Sequence, residues 1–360
     1  MSAKRLLLAA GGTGGHMFPA QALAEHLKRE GWSIAIITDA RGKKHSGRIP
    51  AETIVEVEAA SISLRRPIKA IKGLLKLAKG TKQAKHFIKE YKPNVVVGFG
   101  GYPAFPAMRA AQSLGLPTIL HEQNAVLGRV NRVFAAKANV VASGFQVLEK
   151  CPSGAQHVCT GNPLRDQILS AIPANYNAPK ADINLLIVGG SLGAKILSER
   201  IPAAIAMLPN DLQKRLVIVQ QTRKESVEIA QGIYKACGVR AICNPFYDDI
   251  ETHLARAHFV IGRAGASSVS EIAAMGKPSL LIPLAIAMDD HQTFNARTLK
   301  DLGAADILPE SAFTAEGVKT ILSERLNDST WLTQAATAAR LAARPNATLA
   351  LAKLVVNAAA

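Results

Sequence analysis

The strongest constraint on the fold is a pattern that occurs twice along the chain: a short apolar run, a glycine-rich turn and a helical stretch. Residues 4–27 follow this pattern, and residues 183–201 follow it again. A buried strand that runs through glycines into a helix is typical of the βαβ series of a parallel sheet covered on both faces. Two such openings therefore predict an α/β chain with two Rossmann-like, doubly wound domains.

Ten apolar runs have the length of buried strands, and helical stretches separate most of them. They are residues 5–9, 34–38, 95–98, 118–121, 140–142, 185–188, 216–219, 240–243, 259–262 and 279–282. The chain has 360 residues, enough for two domains that each bury a core. We predict an N-terminal domain over 1–163 and a second domain over 164–340. A proline at 345 should interrupt a helix there, and we expect the helix of about 341–360 to pack back on the first domain.

The net charge of +16 is concentrated in the first half of the chain. Residues 1–150 hold 23 Lys and Arg against 9 Asp and Glu, and residues 61–92 alone hold ten basic residues and one acid. A local excess of this kind indicates an anionic partner. The apolar stretch 280–288 is too short to span a bilayer, and the first ten residues resemble a strand rather than a signal peptide. Four cysteines without CxxC spacing favour a reducing compartment.

The basic segment is also amphipathic, because Ile68, Ile71, Leu74, Leu75 and Ala78 recur at helical spacing. A neighbouring face carries the lysines Lys69, Lys72, Lys76 and Lys79. One interpretation is a helix that packs its apolar stripe on the sheet, and the other is a surface for an anionic membrane. A nucleic-acid site would need basic residues interleaved with exposed aromatics, but aromatics are only 5% of the chain. We therefore predict no nucleic-acid partner.

The first glycine-rich motif is GGTGGH, residues 11–16, which follows the first predicted strand. Glycines let a ligand approach the backbone closely, and the next helix offers unpaired N–H groups. The motif does not fit the dinucleotide pattern GxGxxG, so a tight structural turn is the alternative. His16 follows the glycines, where a neutral imidazole could take a proton from a hydroxyl, although such a histidine also serves as a cap or packing residue.

The motif GGSLGA, residues 189–194, predicts a phosphate-binding helix start with Ser191 as a hydrogen-bond donor. It also fits the GxSxG nucleophile elbow of hydrolases, but a hydrolase has one sheet and no need of a second matching domain. In the motif RAGASSVSE, residues 263–271, Glu271 could bridge two neighbouring hydroxyls such as those of a ribose, or only interact with the helix dipole.

Three further motifs contain polar residues near predicted strand ends or at the domain boundary. HEQN, residues 121–124, lacks the second histidine of the zinc motif HExxH, and residues 289–291 (Asp, Asp, His) do not have the spacing of a known metal site. Polar side chains at the carboxyl ends of parallel strands face the ligand crevice of such sheets. Arg165, in TGNPLR at the predicted boundary, could bind a diphosphate.

Taken together, these motifs resemble the MurG family of bacterial peptidoglycan glycosyltransferases. The resemblance covers nearly the whole chain, with seven motifs in order: GGTGGH at Gly11, GFGGYP at Gly98, HEQN at His121, TGNPLR at Thr160, GGSLGA at Gly189, RAGASSVSE at Arg263 and DDHQTFNA at Asp289. Leu192 stands where the family commonly has Gln, and Ser268 where it commonly has Thr. The resemblance implies a GT-B fold with an interdomain cleft.

The resemblance also implies roles for residues of this chain. Ser191 and Arg165 would contact the donor diphosphate, Glu271 the ribose and Gln292 the sugar hydroxyls, while Tyr247 would offer its backbone to the uracil. The remaining nucleotide-lining residues are Ala266, Ser267, Ser268, Val269 and Ser270, and the first domain would add Thr13, Gly14, Gly15 and Asn124. His16 is the first candidate for the general base and Glu122 the second.

The implied reaction is an inverting transfer of N-acetylglucosamine from its UDP donor to the 4-hydroxyl of undecaprenyl-diphospho-N-acetylmuramoyl-pentapeptide. Helix N-termini, Ser191 and Arg165 would stabilise the departing UDP, so we expect no metal and no cofactor. The expected location is the cytoplasmic face of the bacterial cell membrane, with Ile68, Lys69, Ile71, Lys72, Leu75, Lys76 and Lys79 facing the lipid. The alternatives are another GT-B UDP-sugar transferase, a UDP-GlcNAc epimerase, or a binding module without activity.

Overall fold

The structure, a computed structural model, describes residues 3–12, 14–45, 47, 49–60, 67–190 and 194–360. The chain divides into two compact units. Unit 1 comprises residues 1–165 together with 344–360, and unit 2 comprises residues 166–343. In the described part of the chain, no helix is both long enough and apolar enough to cross a membrane.

Unit 1 is built on a seven-stranded sheet in the order β3-β2-β1-β4-β5-β6-β7, and every neighbouring pair is parallel. Its strands are β1 (Arg5–Ala9), β2 (Ser33–Thr38), β3 (Thr53–Glu56), β4 (Val95–Gly98), β5 (Thr118–Glu122), β6 (Val140–Ser143) and β7 (His157–Cys159). Its helices are α1 (Gly14–Arg29), α2 (Ala40–His45), α3 (Pro67–Tyr91), α4 (Ala104–Ser113), α5 (Arg129–Ala135) and α15 (Ala347–Ala358).

Helices cover both faces of this sheet because alternate side chains of each strand point to opposite faces. Leu6 and Leu8 of β1 pack in one cluster with residues of α1 and α15. Leu7 and Ala9 pack in a second cluster with residues of α3 and α4. The last helix, α15, therefore completes the core of unit 1 although it lies at the other end of the chain.

Unit 2 contains a six-stranded sheet in the order β10-β9-β8-β11-β12-β13, again parallel throughout. Its strands are β8 (Ile183–Val188), β9 (Leu216–Gln221), β10 (Arg240–Asn244), β11 (Phe259–Gly262), β12 (Ser279–Leu281) and β13 (Ala305–Ile307). Its helices are α6 (Asp166–Ser170), α7 (Lys195–Ala206), α8 (Asn210–Arg215), α9 (Val227–Ala236), α10 (Ile250–Arg256), α11 (Ala266–Met275), α12 (His291–Lys300), α13 (Ala315–Arg325) and α14 (Ser329–Ala342).

The predicted fold class is confirmed, and all ten predicted strands occur within two residues of their expected bounds. Three strands were missed, namely β3, β7 and β13, and all three are short strands at sheet edges. An edge strand contacts one neighbour only, so its residues need not form a continuous apolar run; β3, for example, has no buried residue. Pro345 lies between α14 and α15, next to the change from unit 2 to unit 1.

Helix α3 buries a stripe of mainly small residues rather than its large apolar ones. The buried positions recur at helical spacing, and they are Ala70, Gly73, Leu77, Gly80, Ala84 and Ile88. The larger side chains of Ile71, Leu74 and Leu75 are exposed. The first interpretation of this helix, in which its large apolar stripe packs on the sheet, is therefore wrong for these three residues. Small residues occupy the buried face because they let the helix backbone approach its neighbours closely.

Substitution of Gly80 with alanine is expected to destabilise unit 1 by about 1–3 kcal/mol. A methyl group at Gly80 would lie 1.9 Å from the carbonyl oxygen of Glu58, so the helix would have to move. Gly232, exposed in α9, is the matched control because a methyl group there meets no atom within 4 Å. Gly232→Ala should stabilise the protein by about 0.5–1 kcal/mol. Denaturant unfolding of both variants measures the difference, and equal shifts would contradict this account of the buried stripe.

Candidate functional site

In unit 1, three turns meet at the carboxyl edge of the sheet. They follow β1, β4 and β5, which are adjacent strands. Gly12, Gly100 and Gly101 have positive φ angles of 88°, 83° and 73°. An L side chain rarely adopts this backbone conformation, so glycine is required for the turns after β1 and β4. Thr13, predicted to bind substrate, lies outside the described residues, whereas Gly14 and Gly15 form the first turn of α1.

His16 stands in the first turn of α1, half-buried, next to these glycines. Its Nδ1 atom lies 2.8 Å from the side-chain oxygen Oε1 of Gln123, which follows β5. Its ring also approaches the turn after β4, because a methyl group built on Gly101 would lie 3.5 Å from His16 Nε2. His16, the predicted base, thus lies at the carboxyl edge of the sheet, and its Nδ1 atom is engaged by Gln123.

Gln123 joins His16 to a second, fully buried histidine. The Gln123 side-chain nitrogen lies 3.0 Å from His121 Nδ1 and 3.0 Å from the His121 carbonyl oxygen. His121 Nε2 lies 3.1 Å from the carbonyl oxygen of Gly161. Burial lowers the pKa of His121 to about 4, because a charged imidazole would lose its hydration there. Gln123 and His121 were not assigned a role from the sequence, although both lie in the HEQN motif.

Glu122, the second candidate base, is buried and its carboxylate accepts four hydrogen bonds. Oε1 accepts from the backbone and side-chain nitrogens of Asn124, each at 3.1 Å. Oε2 accepts from Gly128 N at 2.8 Å and from Asn131 Nδ2 at 2.9 Å. A carboxylate with both oxygens occupied holds the turn after β5 to the start of α5. Asn124, predicted to contact substrate, is half-buried and engaged in this same turn.

The pKa of His121 predicts a loss of stability in mild acid. Between its ordinary value of 6.5 and the folded value of about 4, the unfolded chain binds a proton that the folded chain does not. The free energy of unfolding should therefore fall as the pH drops through this range, by on the order of 3 kcal/mol in total. His121→Gln should flatten that acid slope, while the same change at His86, exposed on α3, should leave it unchanged. Denaturant unfolding at several pH values gives both slopes, and a full slope in His121→Gln would contradict the assignment.

In unit 2, the start of α11 follows β11 through the turn that contains Arg263 and Ala264. Helix α11 has no side-chain cap at Gly265, and its first intrahelical bond runs from Val269 N to Gly265 O at 2.9 Å. The N–H groups of Ala266, Ser267 and Ser268 precede that bond, so they point out of the helix start. The first turn of α11 therefore offers backbone donors where an anion could bind.

The predicted nucleotide residues of α11 fall into two groups. Ser267, Ser268, Ser270 and Glu271 are half-buried, whereas the Val269 side chain is completely buried in the core. The Val269 side chain therefore cannot contact a ligand, and its N–H is already bonded to Gly265 O. Ser191 lies outside the described residues, so its predicted contact with the diphosphate stays a prediction.

Arg263 lies in the same turn and has no role predicted from the sequence. Its guanidinium is almost fully buried, forms an ion pair with Glu310, and donates to the carbonyl oxygens of Ile282 at 3.2 Å and Pro283 at 3.4 Å. Glu310 in turn accepts from Ala285 N at 3.0 Å. This cluster ties the turn after β11 to the turn after β12.

Gln292 and Asn295 of α12 support the same two turns. Gln292 Oε1 accepts from Leu284 N at 3.0 Å, so the oxygen of this side chain is engaged and its NH2 group is the part that can donate to a ligand. Asn295 Nδ2 donates to Ala264 O at 3.0 Å. Asp290, which precedes α12, accepts from the Thr293 hydroxyl at 2.7 Å. Among the described residues, no group of three or more His, Cys, Asp and Glu is arranged to hold a metal ion.

Two further predicted residues have aromatic or internal contacts. The Arg165 guanidinium lies over the Phe18 ring at 5.6 Å, both in unit 1. The Tyr247 hydroxyl donates to Ile242 O at 2.9 Å, and burial raises the pKa of Tyr247 to about 12. Because its hydroxyl is engaged inside unit 2, Tyr247 could contact the uracil of a nucleotide only through its backbone, as predicted.

The exposed side of α3 combines apolar and basic side chains. Ile71, Leu74 and Leu75 are 60%, 55% and 66% exposed. Lys72 and Lys76 are exposed on the adjoining face, and together these five residues form the α3 surface. Lys79 is exposed too but pairs with Glu58 at 2.5 Å, so part of its charge is neutralised. The side chains of Ile68 and Lys69 lie outside the described residues.

Comparison with known proteins gives a consistent result over both units. The glycosyltransferase family 28 N-terminal domain matches residues 6–143, and the family 28 C-terminal domain matches residues 184–350. A relative from Maricaulis maris, named UDP-N-acetylglucosamine--N-acetylmuramyl-(pentapeptide) pyrophosphoryl-undecaprenol N-acetylglucosamine transferase, is 50% identical over 99% of this chain and 98% of its own length. A relative of the same name from Caulobacter vibrioides is 45% identical over 98% of both chains. The crystal structure of Acinetobacter baumannii MurG is 34% identical, with a TM-score of 0.81 over 98% of this chain and 99% of that one.

Proposed function

Since this chain belongs to glycosyltransferase family 28, we propose that it transfers N-acetylglucosamine from UDP-N-acetylglucosamine to lipid-linked N-acetylmuramoyl-pentapeptide in peptidoglycan synthesis. The observation that carries the proposal is the near full-length likeness to relatives of that named activity. The arrangement of each unit agrees with it, because unit 1 presents an imidazole and unit 2 a helix start suited to an anion.

The proposed reaction is a single displacement with inversion. The acceptor 4-hydroxyl oxygen forms a bond to the anomeric carbon, and the bond from that carbon to the UDP oxygen breaks with its electron pair. His16 Nε2 takes the hydroxyl proton, because the other ring nitrogen is engaged by Gln123. Glu122 is the weaker candidate for this role, since its oxygens already accept four hydrogen bonds.

Unit 2 is proposed to bind the donor. The first turn of α11 offers backbone donors to the nucleotide, and Glu271 one turn later would bind the ribose hydroxyls. Gln292 keeps an amide donor for the sugar, and Ser191 would contact the diphosphate. Arg165, the last residue before unit 2, is proposed to contact the diphosphate too. These groups would stabilise the negative charge that grows on the departing UDP. Stabilisation of developing charge is usually the largest single contribution to such catalysis. We propose that these groups suffice without a metal.

A transfer assay with radiolabelled UDP-N-acetylglucosamine and the lipid-linked muramoyl-pentapeptide acceptor tests the proposal. Label is expected to move into the lipid fraction, and the rate should be unchanged in excess EDTA. Loss of activity in EDTA with rescue by Mg²⁺ would overturn the metal-free step only. Labelled UDP-N-acetylmannosamine formed without acceptor would indicate an epimerase instead, and binding without turnover would indicate a binding module.

The α3 surface is proposed to dock the protein on the anionic membrane that carries the lipid-linked acceptor. Exposed Ile71, Leu74 and Leu75 would enter the interface, while Lys72 and Lys76 would lie at the level of the acidic headgroups. This would place unit 1 at the cytoplasmic face of the cell membrane as a peripheral protein. Nothing in the arrangement of these side chains favours nucleic acid, because no exposed aromatic is interleaved with the described lysines of this surface.

A further inference from the structure

We propose that Gln123 is a positioning residue that fixes which nitrogen of His16 carries a proton, through a hydrogen-bond chain that starts at the Gly161 carbonyl. The inference rests on the proposed role of His16 as general base and deepens it. A base needs its lone pair on the nitrogen that faces the substrate, and a neutral imidazole has one lone pair only. Three groups in unit 1, namely the Gly161 carbonyl, His121 and Gln123, decide where the lone pair of His16 lies.

The series of hydrogen bonds starts at the Gly161 carbonyl, a group that can only accept a hydrogen bond. The Gly161 carbonyl oxygen lies 3.1 Å from His121 Nε2, so Nε2 must carry a hydrogen. His121 is completely buried, and burial holds its pKa at about 4, so at neutral pH it carries no second proton. His121 Nδ1 is therefore an acceptor.

The amide of Gln123 has its orientation set by two acceptors at once. Its nitrogen lies 3.0 Å from His121 Nδ1 and 3.0 Å from the His121 carbonyl oxygen. The reversed amide would bring Gln123 Oε1 against both of these acceptors, where it could form no hydrogen bond. The nitrogen of the amide therefore faces His121, and Oε1 faces His16.

The last link places a hydrogen on His16 Nδ1. Gln123 Oε1 accepts and cannot donate, and it lies 2.8 Å from that nitrogen. A neutral His16 must then carry its hydrogen on Nδ1 and its lone pair on Nε2. Free histidine favours the opposite tautomer, with the hydrogen on Nε2, so this chain of contacts would reverse the intrinsic preference of the imidazole.

Further contacts hold Gln123 and His121 in place. Gln123 is 3% exposed, and its own carbonyl oxygen accepts from Asn162 Nδ2 at 2.9 Å. The His121 ring packs beside Phe99, with ring centroids 5.6 Å apart. Burial also keeps water from competing for these hydrogen bonds, which strengthens them.

Nitrogen-15 NMR of histidine side chains in the unmodified full-length protein tests the proposal directly. At about pH 8.5, well above the ordinary histidine range, His16 is expected as the Nδ1–H tautomer and His121 as the Nε2–H tautomer. Signals are assigned by their loss in His16→Gln and in His121→Gln. A wild-type His16 signal of the Nε2–H tautomer would overturn the proposal whatever the activity data show.

Gln123→Met then tests whether the tautomer matters for turnover. This variant removes the acceptor at similar volume, so His16 should shift toward the Nε2–H tautomer, and kcat should fall about 10- to 100-fold with an unchanged KM for the UDP sugar. Gln213→Met is the matched control, because Gln213 is also a buried amide and donates to two backbone carbonyls of unit 2. It should lower stability without moving the His16 signal or kcat.

The outcomes separate this inference from the proposed function. A Gln123→Met protein that folds with an unmoved His16 tautomer would refute the positioning role. If the variant does not fold, the wild-type spectrum still decides the tautomer. A third outcome is the expected wild-type tautomer together with normal turnover of His16→Ala. That result would support the hydrogen-bond series but refute the role of His16 as general base.

Discussion

Replacing His16 with alanine is expected to lower turnover about 10²- to 10⁴-fold while UDP-sugar binding stays nearly intact. The imidazole would take the proton of the acceptor hydroxyl as that oxygen bonds to the anomeric carbon, and no neighbouring group can replace it easily. Glu122 already accepts four hydrogen bonds, and Gln123 cannot take up a proton at neutral pH. Steady-state transfer rates give kcat, and calorimetric titration with UDP-N-acetylglucosamine gives donor affinity.

His26→Ala is the matched control for this experiment. His26 lies in the last turn of the same helix α1 and pairs with Glu30 at 3.1 Å, far along the helix from the glycine-rich turns. His26→Ala should lower the free energy of unfolding slightly and leave turnover within about twofold of the wild type, as most changes outside a site do. Turnover of His16→Ala within a few-fold of the wild type would remove His16 from the proposed role and move attention to Glu122.

Reversing the charge of Lys72 and Lys76 to glutamate is expected to abolish most binding to anionic vesicles. Each lysine near an acidic membrane contributes about 1 kcal/mol, so loss of two lowers the affinity roughly 30-fold, and the new carboxylates lower it further by repulsion. UDP-sugar binding should not change, because the reversed residues lie on α3 and the proposed donor residues are mainly in unit 2. Co-sedimentation with vesicles of phosphatidylglycerol and phosphatidylcholine measures the effect.

The control for this variant keeps the same net charge. Lys214 and Lys235 are exposed in unit 2, and their joint reversal to glutamate changes the total charge equally. That variant should lose little vesicle binding, because it leaves the α3 surface intact. Leu75→Ser should weaken binding to the same vesicles at high salt, where only the apolar contribution persists. Equal binding by all three variants would refute the α3 surface as the docking site.

Much of the fold could be predicted because it depends on local pattern. Buried parallel strands are continuous apolar runs, and the glycines at positions such as 12 and 100 mark turns with positive φ. The edge strands β3, β7 and β13 escaped prediction, because a strand with one neighbour needs fewer apolar residues. The candidate site was predicted as motifs, and the described residues of these motifs lie at or after the carboxyl ends of strands in each unit.

The arrangement within the site could not be predicted in the same way. Arg263 was visible in a motif, but its ion pair with Glu310 joins residues 47 positions apart. The four hydrogen bonds to Glu122 depend on how the chain turns after β5, which no local spacing specifies. A carboxylate in a motif indicates a candidate acid or base. Only the hydrogen bonds that it forms in the folded protein show whether it can accept a proton from a substrate.

The sequence by itself determined the two parallel sheets, the glycine-rich turns and the family resemblance, because strand burial and backbone freedom are properties of consecutive residues. Tertiary structure decided which face of α3 is buried, since close approach of backbones selects Gly80 and Ala84 over Ile71 and Leu75. It also decided the partner of His16, because Gln123 is 107 residues away and reaches it only where β1 and β5 come to the same sheet edge. Hydrogen-bond direction at that imidazole is therefore a property of the folded unit and not of any motif.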